Sequence, residues 1–133
     1  MAQIVLFLST AMVFLVLDAV MLTRVMQPLF ARHLGEQLLT DIRMVPAVIF
    51  YLGYVLGIVV LVSWPALREG LPLRALWRGA VLGAMAYGTY EFTSYTIMRD
   101  WQPSMVAVDL VWGTILTGVS AWAGVQITRA LIG

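Results

Sequence analysis

Three acidic side chains, Asp18, Glu91 and Asp109, stand inside long apolar stretches of the sequence. An ionised carboxylate in the hydrocarbon of a bilayer costs about 2.5 kcal/mol or more, so it persists where it has a partner or a water-filled cavity. A carboxyl group in such a place can bind a cation, pass on a proton, or join two helices through a hydrogen bond. These three residues are therefore the first candidates for chemistry.

Hydroxyl and indole groups accompany the acids. Glu91 lies within residues 87–96, a stretch of tyrosine, threonine and serine in an otherwise apolar segment. Such groups can hydrogen-bond a carboxylate or a polar ligand, and the alternative is that they only satisfy one another between packed helices. The predicted ligand- or proton-binding set comprises Asp18, Tyr54, Tyr87, Tyr90, Glu91, Thr93, Ser94, Asp109 and Trp112.

The composition is that of a membrane protein. Of the 133 residues, 62% are hydrophobic and 11% are charged, which is far more apolar than a soluble domain of this size. A net charge of +1 leaves no basic face for nucleic acid, and the lack of cysteine excludes disulfides and thiolate metal sites. The first apolar run lacks the basic start of a signal peptide, so we expect it to be retained.

We predict an all-α fold, an integral membrane bundle of four transmembrane helices that forms a single domain. The length suits about four spans of roughly 20 residues. Between the first two spans, apolar residues recur at helical spacing among charged ones, which predicts a short interfacial amphipathic helix. The domain covers residues 1–133, the spans about 3–24, 43–65, 74–98 and 104–132, and the interfacial helix 25–42.

Glycines and tryptophans are predicted to position these spans. Gly53 and Gly57 share one helix face, as do Gly79 and Gly83, and small residues at this spacing let a neighbouring helix approach closely. Indoles at span ends favour the membrane interface. Trp64, Trp77 and Trp101 lie at predicted span ends and are therefore predicted to be interface residues.

The three acids are predicted to share one layer of the bundle. Counted from Arg24, Arg99 and Ser104 at about 1.5 Å per helical residue, each lies roughly 8–12 Å from the same membrane boundary. Carboxylates so close together cannot all be ionised, so we expect at least one to be protonated at neutral pH.

Most catalytic constellations are absent from the sequence. With one histidine and no cysteine, a histidine zinc site or a Glu-x-x-His di-iron site cannot be assembled within one chain. Oxygen ligands remain, so Asp18, Glu91 and Asp109 could hold a hard cation. We predict no cofactor other than such a bound cation, and the sequence favours a role that is not enzymatic.

Four segments carry a resemblance to a known family. They are Phe-Leu-Val-Leu-Asp at 14–18, Pro-Ala-Val-Ile-Phe-Tyr-Leu-Gly-Tyr at 46–54, Tyr-Gly-Thr-Tyr at 87–90 and Val-Asp-Leu-Val-Trp-Gly-Thr at 108–114. The chain resembles the small four-span bacterial membrane proteins grouped as domain of unknown function 2177. The family usually has Asp-Leu-Thr-Asn where this chain has Glu91-Phe-Thr-Ser94. The resemblance implies four helices in the bacterial cytoplasmic (inner) membrane, and it implies no activity.

Transport or binding of a small molecule or cation is the leading hypothesis, with the carboxylates as proton relay or ligand site. The alternatives are an accessory or assembly subunit of a larger membrane complex and, with least support, a membrane-embedded lipid-modifying enzyme. The expected partners are the lipid bilayer and either further copies of the chain or a larger complex. The arginines within residues 66–78 favour both termini on the cytoplasmic side.

Overall fold

The computed structural model describes residues 1–34 and 44–132, and every regular element within these ranges is helical. Four helices follow one another along this part of the chain. They are α1 (Ala2–Leu34), α2 (Met44–Ile58, Val59–Ser63 and Trp64–Glu69 in unbroken succession), α3 (Pro72–Ile97) and α4 (Pro103–Ile132).

Three of these helices, α1, α2 and α4, are long and apolar enough to cross a membrane. α3 has 26 residues. At 1.5 Å per residue it is about 39 Å long, which is enough to span a bilayer core of about 30 Å. Its polar stretch makes it less apolar than the others, and it packs on α4 in the largest contact between helices. The predicted all-α membrane bundle is confirmed.

Two of the helices continue through a proline that would ordinarily end them. α1 has a π-helical turn at Leu22–Met26, two residues before Pro28, and α2 has one at Val59–Ser63, two residues before Pro65. In a regular α-helix the proline ring collides with the carbonyl four residues earlier. A wider turn just ahead of the proline relieves this collision, so both helices run on past the predicted ends of their spans.

The predicted interfacial helix is present in part as a continuation of α1. Gln27–Leu34 is helical and follows the π turn without a break, whereas residues 35–42 of the prediction lie outside the described residues. Leu34 is buried in a small apolar cluster that also contains Trp101, from the connection between α3 and α4. The end of α1 is thereby fixed against the same end of the α3–α4 pair.

α2 and α3 are joined by a tight turn. Gly70 has a positive φ of 68°, a conformation that glycine adopts without strain. The N–H groups of Gly70 and Leu71 donate to the carbonyls of Leu67 and Ala66 at 3.1 and 3.0 Å, which closes the end of α2. Pro72 then begins α3, where its missing N–H has no partner to lose.

α3 and α4 approach each other at glycines. A Cβ added at Gly83 would stand 2.2 Å from the carbonyl oxygen of Gly113. A Cβ at Gly113 would fall into the ring of Tyr87, 2.1 Å from its Cγ. Gly79 makes a similar contact one turn earlier. These glycines therefore bring the polar end of α3 against α4.

The other predicted glycine face is uncovered within the chain. A Cβ added at Gly53 or Gly57 would meet no described atom within 4 Å. The prediction that a neighbouring helix packs closely on this face is wrong for the described part of the chain. α2 instead turns Val55, Ile58 and Val59 inward, and these branched side chains fill the core against α1 and α4.

We expect Gly83→Ala to destabilise the fold by about 1–3 kcal/mol, because the added methyl overpacks the α3–α4 contact. Gly53→Ala should be neutral or stabilising by up to about 1 kcal/mol, since alanine favours a helix and has open space there. Denaturant unfolding in detergent, followed by circular dichroism, measures both changes. Equal stability of the two variants would contradict the close contact.

Candidate functional site

A cavity of about 270 Å³ lies between all four helices. Its walls come from the second half of α1, the first half of α2, the second half of α3 and the start of α4. It therefore lies toward the end of the bundle at which α3 connects to α4. Its side chains combine two acids with five rings, namely Asp18, Asp109, Phe30, Phe50, Tyr51, Tyr87 and Tyr90.

Asp18 forms one wall of this cavity and joins three helices. The indole nitrogen Nε1 of Trp112, on α4, donates to its Oδ1 at 3.3 Å. The hydroxyl of Tyr51, on α2, lies close to the same carboxyl. Asp18 is only partly buried, so it keeps a side turned to the cavity while its donors orient it.

Glu91 lies behind the cavity wall and is fully buried. The indole Nε1 of Trp101 donates to its Oε1 at 2.8 Å, whereas Oε2 has no hydrogen-bond partner among the described residues. The carboxyl of Asp109 is within hydrogen-bonding reach of Glu91. Since an ionised carboxylate only accepts, these two groups form a hydrogen bond only when a proton lies between them.

Trp101 is not the interface residue that its position at a span end predicts. Only 5% of its surface is exposed, because the connection between α3 and α4 folds back over the end of the bundle. Its ring lies 5.2 Å from that of Phe30 and 5.8 Å from that of Tyr90, measured between centroids. The indole thus covers Glu91 and links it to the end of α1.

The remaining predicted site residues are divided between two locations. Tyr54 lies beside the cavity, with its hydroxyl 2.8 Å from Oγ1 of Thr117 and its ring against Tyr87. Thr93 is exposed and Ser94 is partly buried, and both lie outside the cavity lining. Thr93 is two residues beyond Glu91, and at about 100° per helical residue it points away from α4.

The structure does not assemble the cation site that the three acids could form. Within residues 1–34 and 44–132, no three acidic or histidine side chains are arranged so that they could hold a metal ion. The indoles of Trp101 and Trp112 donate to oxygens of Glu91 and Asp18 that a metal would need as ligands. One oxygen of each of these two acids is thus engaged by an indole N–H.

Sequence reasoning missed the part of the cavity that α1 contributes beyond Asp18. Leu22, Met26 and Phe30 line it at successive intervals of four residues. In a regular α-helix, residues four apart drift around the axis by about 40° per step. The π turn at Leu22–Met26 offsets this drift and keeps the stripe on one side. The spacing of these residues was a readable signal, but the first span was predicted to end near Arg24, with a separate interfacial helix beyond it.

We expect Trp101→Phe to destabilise the protein by about 1–3 kcal/mol, because Oε1 of Glu91 then loses its donor in a buried site. Trp77→Phe is the matched control, because it makes the same change of side chain at a residue that is 56% exposed. Denaturant unfolding in detergent measures both variants. The same substitution should be measured in a protein that already carries Glu91→Leu. If Trp101→Phe lowers the free energy of unfolding by the same amount there, packing and not the hydrogen bond is responsible.

A family model matches most of the chain. The family described as "Predicted membrane protein (DUF2177)" matches residues 3–126, which include all three acids and both indoles that bind them. No curated protein and no solved structure matches the chain. The chain therefore belongs to the DUF2177 family of predicted membrane proteins.

Proposed function

We propose that the chain binds a small cation, in particular an organic one, in the cavity between its helices and exchanges it for a proton across the membrane. The observation that supports this proposal is the lining of that cavity. Asp18 and Asp109 face the same 270 Å³ space, whose other walls are mostly aromatic. Carboxylates supply the opposite charge, and ring faces attract a cation by about 0.5–2 kcal/mol each.

The chemistry of the lining favours an organic cation over a metal ion. Ring faces such as those of Tyr87 and Tyr90 recognise substituted ammonium groups. A metal ion, in contrast, is bound by oxygen ligands that replace its water molecules. The cavity is slightly smaller than the range of about 300–1,000 Å³ that is typical of ligand pockets. A compact ammonium compound is therefore a suitable size, and the indole-bound acids need not rearrange to coordinate it.

The proton resides between Glu91 and Asp109 in this proposal. Glu91 is buried with Oε2 lacking a donor, and Asp109 is within reach of it and lines the cavity. One shared proton joins the two carboxyls by a hydrogen bond and leaves the pair with a single negative charge. A cation that enters the cavity next to Asp109 favours the fully ionised pair, so the shared proton is released as the cation binds.

The sequence indicates the membrane and the orientation in which this exchange would take place. The resemblance to bacterial proteins supports the cytoplasmic (inner) membrane, and we take residues 1–133 as one domain. Arg68, Arg74 and Arg78 lie on the side of both termini, which favours cytoplasmic termini by the positive-inside rule. The acidic cavity would then lie toward the outer end of the bundle.

Tetraethylammonium is a suitable probe, and its binding to the detergent-purified protein can be followed by calorimetry and by proton release into weak buffer. We expect the wild type to bind it and release protons. Asp18→Asn should weaken binding roughly tenfold or more, because a cavity charge is lost. Glu91→Gln should still bind but release no proton, because the amide N–H replaces the shared proton as donor to Asp109.

Two further measurements complete this test. Glu69→Gln is the control, since it makes the same acid-to-amide change at an exposed residue that pairs with Arg74 outside the cavity. In proteoliposomes, a pH gradient should drive tetraethylammonium uptake by the wild type and by this control, and not by Glu91→Gln. Unchanged proton release and uptake in Glu91→Gln would refute the exchange.

A second candidate function, an accessory subunit of a membrane complex, is favoured by the uncovered face of α2. Gly53 and Gly57 leave room there for another helix, and small residues are typical of such contacts. The expected result is a foreign chain that co-purifies in stoichiometric amount with the wild type and is lost from Gly57→Leu. A homo-oligomer alone, unchanged by this substitution, would count against it.

A further inference from the structure

The opposite end of the bundle carries an apolar groove that runs into a basic cleft. The groove, of about 370 Å³, lies between the start of α1 and the second half of α2, with Ile4, Phe7, Leu56 and Val60 among its walls. The cleft, of about 470 Å³, lies at the membrane-boundary end of α2 and α4. Trp64 lines both spaces, so they adjoin each other.

The cleft presents two guanidinium groups that have no ion-pair partner within the described part of the chain. Arg68 and Arg129 both line it, and neither forms an ion pair with any described residue. Glu69 is the acid in the cleft lining, and its carboxylate is already paired with Arg74. Each guanidinium carries N–H donors in a planar fork that suits the oxygens of a phosphate.

We infer that this composite site binds one anionic phospholipid, with an acyl chain in the groove and the phosphate at Arg68 and Arg129. The groove is almost wholly apolar, and in a bilayer only a hydrocarbon chain is present to fill it. The cleft adds positive charge where the chain would reach the headgroup layer. Trp64 at the junction suits the boundary between the two, because an indole is apolar along its body and polar at its nitrogen.

A free phosphate ion or a partner helix fits these observations less well. A free ion would use the two arginines and leave the adjoining groove unexplained. A packed helix would fill the groove and leave Arg68 and Arg129 of the adjoining cleft without an anion. The lipid alone has both the chain and the anion, in the order that the groove and the cleft require. This site is separate from the acidic cavity and does not depend on the proposed exchange.

Lipid binding can be measured on the purified protein by native mass spectrometry, with phosphatidylglycerol and phosphatidylcholine of identical acyl chains. We expect phosphatidylglycerol to bind more tightly. The double variant Arg68→Gln/Arg129→Gln should bind it roughly thirtyfold more weakly, because each arginine near a headgroup contributes about a fivefold factor. Arg78→Gln is the matched control, since Arg78 lies over the Trp77 ring and does not line the cleft.

A second variant tests the groove independently of the charges. Val60→Trp should fill the groove and weaken phosphatidylglycerol binding, while the exposed position of Val60 leaves the core intact. Equal binding of the two lipids by the wild type would overturn the inference. So would displacement of the lipid by millimolar inorganic phosphate, or equal losses in Arg78→Gln and in the double variant.

Discussion

The hydrogen bond from Trp101 to the buried Glu91 is the constraint on which the polar end of the bundle depends. A carboxyl group that is 0% exposed needs donors, and this one has the indole on one oxygen and Asp109 within reach. The indole can reach it only if the connection between α3 and α4 folds back over the bundle. Asp109 can reach it only if α3 and α4 lie very close together. One acid therefore dictates both the shape of a loop and the spacing of two helices.

Glycine provides that spacing. Lipid tails are as apolar as leucine, so helices in a bilayer associate through close packing and interhelical hydrogen bonds. At Gly83 and Gly113 the α3 and α4 backbones come together with no room for a methyl group. Two turns further along α3, this approach places Glu91 beside Asp109. Packing at the glycines and hydrogen bonding at the acids are thus consecutive parts of one contact, and each holds the other in register.

Counting residues from each span end at a constant helical rise predicts that Asp18 and Asp109 lie at one level, and in the structure both line one cavity. The family could also be recognised from short motifs. The lengths of α1 and α2 could not be read in the same way, because Arg24 and Pro65 indicate span ends, whereas both helices continue through a π turn and the proline after it. The indole of Trp101 was misplaced for a related reason. Whether a tryptophan at a span end faces lipid or folds inward depends on a distant acid, and periodicity carries no information about distant partners.

The division of the bundle into two halves bears on how a cavity ligand could enter. The main apolar core, which includes Leu6, Val55, Leu116 and Val125, lies in the half that carries the described chain ends. The other half is held by a smaller apolar cluster around Trp101 and Met105 and by two directional contacts, Trp112 to Asp18 and Trp101 to Glu91. The hydrogen bond to Asp18, a partly buried carboxyl, can be exchanged for a bond to a ligand or to water without creating a void, whereas a close-packed core cannot open without losing its contacts. In the exchange that we propose, a cavity ligand would therefore enter through the acidic half, where less close packing has to be broken.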